Sequence, residues 1–127
     1  MTNPITIHPD AARPAYQGDV QIRRVSEMPE GAIEVARQPN GALLVAHSET
    51  GHHHEIAAVG SALWAVPGDT MRAYLRVPAG DYADVVHRRP WDTHQTLRLL
   101  ADGGGDTIYE IGRQREYVPD GWRRVED

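Results

Sequence analysis

Turn-forming residues interrupt the chain at short intervals, and this spacing is the feature that most limits its fold. From Gly18 onward, short apolar stretches alternate with glycine- and proline-containing turns roughly every 8–12 residues, which is typical of an all-β domain. One of these turns contains Asn40-Gly41, a pair that favours a tight hairpin because both residues tolerate a positive φ angle. The pattern predicts strands over 19–25, 32–37, 42–48, 52–59, 63–66, 71–77, 81–87, 96–100 and 107–113.

These strands indicate a single all-β domain over residues 16–127, folded as a small β-sandwich or β-barrel with short hairpins. Residues 1–15 contain prolines and show no sustained periodicity, so we expect a flexible or extended N-terminal arm there. The segment 113–117 alternates charged and polar residues, as a solvated edge strand does. The tail over 119–126 is compatible with a short helix.

Composition excludes several classes of function. The sequence has no cysteine, which rules out disulfide scaffolds, thiolate catalysis and iron–sulfur clusters. Its net charge of -5 argues against a dedicated DNA- or RNA-binding module, which usually presents a basic surface. No apolar run reaches the length of a membrane span and the N-terminus lacks a signal-peptide pattern, so we expect a cytoplasmic protein with no membrane partner.

A histidine cluster is the strongest indication of chemistry in the sequence. Three of the seven histidines are consecutive, at the start of a predicted strand. Because side chains alternate faces along a strand, His52 and His54 would share one face and His53 would lie on the other. Two imidazoles with this spacing can bind one metal ion, and the turn before them would return His47 toward the pair.

A second histidine pair follows downstream. His87 ends one predicted strand and His94 precedes the next, so a hairpin would bring these two residues together. If the two hairpins meet in the fold, their histidines form a site suited to a divalent transition metal such as Zn, Ni, Fe or Cu. Nearby carboxylates would act as ligands, as acceptors for imidazole N–H groups or as a general base. The candidates are Glu49, Glu55 and Asp92.

The sequence leaves the role of this site open. If His52, His54, His87 and His94 all bind the ion, the metal is structural; if one position stays open, a metal-bound water would serve hydrolytic or lyase chemistry. The rival hypothesis is a metal-free interaction module or phage-type structural protein, whose histidines lie on a binding surface or at a subunit contact of a homo-oligomer. No motif in the sequence identifies a substrate, so whether the protein is an enzyme stays open.

Two resemblances to known families accompany these motifs. The pair His52 and His54, followed by a glutamate and a later histidine, resembles the metal-binding motifs of cupins, which implies a metal site in a small β-barrel. The spacing differs, because in cupins the glycine and the glutamate stand away from the pair, whereas Gly51 and Glu55 adjoin it here.

The second resemblance is to a group of small uncharacterised bacterial and phage proteins. It is carried by the Thr-Gly-His-x-His segment at 50–54, by the later histidines, and by the Arg-Gln-Arg-Glu-Tyr segment at 113–117. This resemblance implies that the histidines and the C-terminal segment act together, and it implies no particular reaction.

Overall fold

The fold is a β-sandwich in which two sheets pack face to face. The computed structural model describes residues 4–17, 20–46, 53–57, 60–69, 71–88, 95–113, 115–118 and 121–124. Within these ranges the regular secondary structure is entirely strand. The predicted all-β class is therefore confirmed, and of the two predicted architectures the sandwich is correct, because the sheets do not close into a barrel.

The described strands follow one another through the chain at short intervals. They are β1 (Ile5–Ile7), β2 (Ala15–Gln17), β3 (Val20–Val25), β4 (Ile33–Glu34), β5 (Leu43–Ala46), β6 (His53–Ala57), β7 (Ala62–Ala65), β8 (Arg72–Val77), β9 (Tyr82–Arg88), β10 (Leu97–Leu100), β11 (Thr107–Arg113), β12 (Arg115–Val118) and β13 (Gly121–Arg124).

Two sheets contain most of these strands. Sheet A has the order β1-β10-β9-β6-β5, and sheet B has the order β2-β3-β11-β8-β7-β4. The strand pairs are antiparallel apart from β1, which lies parallel to β10. A separate ribbon pairs β12 with β13. The crossings between the sheets bring residues distant in sequence onto neighbouring strands.

The predicted strands from 19–25 to 107–113 correspond to β3 through β11. The largest difference is at β4, which is two residues long where the pattern predicts a strand over 32–37. The segment predicted as an arm contains β1, in which Ile5 and Ile7 stand opposite Leu97 and Leu99 of β10. A strand of this length is too short to show a period, and pairing with a sheet edge orders it.

The predicted short helix near the C-terminus is wrong, because β13 occupies Gly121–Arg124. Its register with β12 sets Tyr117 opposite Trp122. Aromatic residues favour paired strands over helices, which accounts for the ribbon.

The core lies between the two sheets and is formed by alternate positions of the strands. In β11, for example, Thr107, Tyr109 and Ile111 are buried, whereas the residues between them are partly exposed. The chain has no phenylalanine, and Tyr109 is the largest fully buried side chain among the described residues. The apolar core comprises Val20, Ile22, Leu43, Ile56, Leu63, Ala73, Leu75, Val77, Ala83, Val85, Leu97, Leu99, Tyr109 and Ile111.

Candidate metal centre

His54 is a fully buried histidine on the inner face of sheet A. It lies on β6 two positions before Ile56, and residues with this spacing share a face of a strand. Both side chains are 0% exposed. A polar ring at such a position requires hydrogen-bond partners, since burial without them is costly.

Gln17 supplies that partner from sheet B. The Gln17 side chain is 2% exposed, and its Nε2 donates to the backbone carbonyls of Val85 and Gln95 at 2.8 and 3.0 Å. Carbonyl oxygens only accept, so these two bonds determine which way the amide is turned. The Oε1 atom of Gln17 consequently faces Nδ1 of His54, at 3.0 Å.

This contact selects one tautomer of the neutral His54 ring. An amide oxygen can only accept a hydrogen bond, so Nδ1 of His54 donates and carries a proton. In the neutral ring the lone pair is then on Nε2, the tautomer of a histidine that coordinates metal through that atom.

The backbone register brings the two histidine-containing segments together. β6 pairs with β9 so that His54 stands directly opposite His87, and His53 stands opposite Arg88. Directly opposed residues of an antiparallel pair have Cβ atoms about 4.5–5.5 Å apart. The sequence predicts His87 beside His94, which lies outside the described residues; on the β6 side, the cross-strand neighbour of His87 is His54.

Most of the other predicted site residues lie outside the described residues. These are His47, His52, His94, Glu49 and Asp92. Within the described ranges, no group of three or more histidine, aspartate or glutamate side chains is arranged to hold a metal ion. At Ala46, which stands opposite His54, β5 ends one residue before His47.

Glu55 is described, and it lies on the opposite face of sheet A from His54 because it is the next residue of β6. There it lines an outer-face cavity of about 800 Å³ together with Arg37, Asp81 and Tyr82. The carboxylate predicted to support the histidines is thus on the other side of the sheet from the His54 ring.

Gln17 is the residue that sequence reasoning misses. It lies in a three-residue strand, where alternation cannot be recognised. Its hydrogen-bond partners lie 37, 68 and 78 positions away in the chain. Contacts between residues so far apart in the chain form only when the two sheets have packed together, so no local sequence pattern indicates them.

Comparisons with known proteins identify a family and no activity. Neither a curated protein nor a solved structure matches the chain. In the described part of the chain, no helix has the length and apolar character that crossing a membrane requires. The model of a family described as a domain of unknown function, DUF8820, matches residues 16–114, a range that includes Gln17, His54 and His87. That description names neither cupins nor phage proteins, so those resemblances stay hypotheses. Because the match covers most of its length, the chain belongs to the DUF8820 family of domains of unknown function.

Proposed function

We propose that this domain binds one divalent transition-metal ion through a set of histidines that includes His54 and His87. His52, His94 and His47 are the candidates for the remaining ligands. The observation that carries the proposal is the hydrogen bond from Nδ1 of His54 to the buried Gln17, next to a cross-strand pair of two histidine positions.

The Gln17 contact supports this proposal because metal-binding histidines nearly always donate their second ring N–H to an oxygen acceptor. That donation sets the tautomer, orients the ring and raises the basicity of the coordinating nitrogen. Gln17 is itself held by two backbone carbonyls, so the position of its oxygen is determined before any metal binds. The His54 ring is therefore preorganised.

Burial favours a structural role for the metal over a catalytic one. His54 is 0% exposed, and the next residue on its face of β6, Ile56, belongs to the core together with Val85, which stands opposite Ile56 on β9. Structural metal sites are closed, whereas catalytic sites keep a position open to substrate. An ion held by β6 and β9 would tie the β5–β6 hairpin to the β9–β10 hairpin. All-nitrogen ligand sets suit Zn, Ni, Cu or Fe(II).

The test is elemental analysis of untagged protein purified without chelator and without a nickel resin. We expect about one metal ion per chain, as a single site requires. His54→Gln and His87→Gln should each lose the metal. The matched control is His53→Gln, which changes the same histidine run at the alternate strand position and should keep it.

Loss of a buried histidine can also destabilise the fold, so a second measurement is needed. Each variant is melted with and without added Zn, and the metal-induced rise in Tm is compared. A ligand present at 100 times its Kd stabilises by about 2.7 kcal/mol, and this gain disappears when the ligands are removed. If wild-type protein contains no metal and shows no rise in Tm with Zn, Ni, Mn or Fe(II), the proposal is wrong.

That outcome would favour the rival hypothesis, a metal-free interaction module or phage-type structural protein. The rival makes its own prediction, which light scattering after size exclusion can check. The chain would self-associate without metal, and variants of the histidines other than the buried His54 would weaken that association while leaving Tm unchanged.

A further inference from the structure

The outer face of sheet B contains a polar basin that the proposed metal centre does not use. Its volume is about 700 Å³. The charged side chains around it are Arg23, Arg72, Arg113, Asp69 and Glu110, and Gly112 forms part of its floor. Three guanidinium groups and two carboxylates thus surround the basin, in a chain whose net charge is -5.

Gly112 has no conformational or steric reason to be glycine. It lies within β11, flanked by Gln21 of β3 and Arg72 of β8. Its φ angle is not positive, and a Cβ added there would meet its nearest atom, the carbonyl oxygen of Met71, only at 4.0 Å. Glycine inside a strand weakens the strand, and it often marks a position where a ligand approaches the backbone closely.

The two carboxylates of the basin already accept hydrogen bonds from protein donors. Glu110 accepts from Nε of Arg23 at 3.0 Å and from the hydroxyl of Tyr74 at 3.2 Å. Asp69 accepts from the backbone N–H of Met71 at 2.9 Å. Arg23 and Glu110 offset each other's charge, and the three arginines and two carboxylates leave the basin with a formal charge of +1.

Two of the three arginines, Arg23 and Arg72, have exposed side chains at the basin. Arg23 uses Nε for Glu110, and its side chain is 57% exposed. Arg72 is also exposed, on the strand beside Gly112. Guanidinium groups bind phosphate and carboxylate oxygens through paired N–H donors, and their charge strengthens those bonds.

We propose that this basin binds a small polyvalent oxyanion of the phosphate class, held by Arg23 and Arg72 above the bare backbone of Gly112. Two features of the basin favour this ligand: the positive charge of the guanidinium groups, and the close approach to the backbone that Gly112 allows. A phosphate group offers several oxygens to two guanidiniums at once, and the missing Cβ lets it approach the sheet.

The experiment is calorimetric titration of the full chain with inorganic pyrophosphate at low ionic strength. Citrate serves as a carboxylate of comparable charge. The metal content of each sample is measured before and after, so that removal of metal by pyrophosphate is not counted as binding. This also separates failure of the basin from failure of the metal centre.

Two variants and one control decide the result. Gly112→Val fills the floor without changing charge and should weaken pyrophosphate binding at least about tenfold. Arg72→Gln should weaken it by a similar factor, since it removes a charged donor. Arg76→Gln removes an arginine of the same face that lies over the Trp64 ring, 5.6 Å from its centroid, outside the basin. It should leave binding within about twofold, as for an exposed charge outside the site.

The proposal is overturned if wild-type protein does not bind pyrophosphate, or if Gly112→Val binds it as wild type does. It is also overturned if Arg76→Gln loses as much affinity as Arg72→Gln, which would indicate a diffuse charge effect. Binding of citrate as tight as that of pyrophosphate would contradict the choice of phosphate over carboxylate.

Discussion

Buried polar groups receive their hydrogen bonds in different ways at the two ends of the sandwich. At the histidine end, where Gln17, His54 and Gln95 lie, side chains bridge the two sheets. At the turn end, where the turns over 78–81 and 102–106 lie, backbone groups of one loop hydrogen-bond to backbone groups of the other. Strand β11 runs from one end to the other: it begins opposite Val77 at the turn end and finishes opposite Val20 at the histidine end.

The turn end is organised by local features of the loops. The N–H of Gly80 donates to the carbonyl of Asp102 at 3.2 Å, and the N–H of Ala101 donates to the carbonyl of Asp81 at 3.0 Å. Gly80 has a φ angle of 73°, which glycine tolerates without strain. Thr107 accepts the N–H of Asp102 at 2.8 Å through its hydroxyl. These contacts follow from turn residues that the sequence shows.

The satisfaction of polar atoms also differs between the ends. Each polar atom of the Gln17 side chain has a partner. At the turn end, the buried hydroxyl of Ser61 has none within the described chain. The comparison teaches that the Gln17 side chain, which bridges the sheets at the histidine end, is fully hydrogen-bonded, whereas the turn end contains a buried hydroxyl without a partner in the described chain. Three predictions test this difference.

The largest effect is expected for Gln17→Leu. This change removes the hydrogen bonds of the Gln17 side chain to the carbonyls of Val85 and Gln95 and to Nδ1 of His54. Each hydrogen bond contributes about 1 kcal/mol net, so we expect a loss of about 3 kcal/mol in the free energy of unfolding, measured with urea.

Gln21→Leu is the matched control, since Gln21 lies on the outer face, where its Nε2 donates to the exposed Tyr16 hydroxyl. It should cost about 0.5 kcal/mol or less. Equal losses in the free energy of unfolding for the two variants would show that the buried network contributes no more to stability than an exposed hydrogen bond.

The second effect is alkaline destabilisation through Tyr109, whose hydroxyl donates to the carbonyl of Leu100 at the turn end. Burial raises the pKa of Tyr109 from 10.0 to about 12. Above the unfolded pKa, the unfolded chain loses this proton while the folded chain keeps it, so stability falls as pH rises from 10 to about 12.

One pKa unit corresponds to about 1.4 kcal/mol, so the contribution of Tyr109 should fall by about that amount between pH 9 and pH 11. Urea unfolding at the two pH values measures the fall. Tyr109→Phe removes the titrating group and should show a fall smaller by this amount. An unchanged pH dependence in Tyr109→Phe would contradict the assignment.

The smallest effect is expected for Ser61→Ala. The Ser61 side chain is buried and its Oγ has no hydrogen-bond partner within the described chain. Removing an unsatisfied buried hydroxyl should be neutral or stabilise the protein by up to about 1 kcal/mol. Thermal melts of the two proteins are sufficient to measure this.

Thr107→Val is the comparison for Ser61→Ala, because the Thr107 hydroxyl is buried and accepts the N–H of Asp102. It should destabilise the protein by about 1 kcal/mol, the usual net value of one hydrogen bond. If Ser61→Ala is the more damaging change, the turn end is as dependent on its polar groups as the histidine end.

Much of the strand content could be predicted because it depends on local chemistry. Glycine and proline turns delimit β3 to β11, and alternation places Tyr109 and Ile111 in the core. The sequence left open whether the two histidine-containing hairpins meet, and the register shows that β6 pairs with β9. The presence of a metal at these histidines stays a prediction.

What the sequence determined by itself is therefore the set of strands and turns, since each depends on residues within a few positions of one another. The tertiary structure decided which strands became neighbours. It placed β1 beside β10, set His54 opposite His87, and buried Gln17 against both of the carbonyls it binds. It also placed Glu55 on the opposite face of sheet A from His54, at an outer-face cavity. The physical reason is that register and cross-sheet contact depend on the simultaneous packing of two whole sheets, and no short window of sequence contains that information.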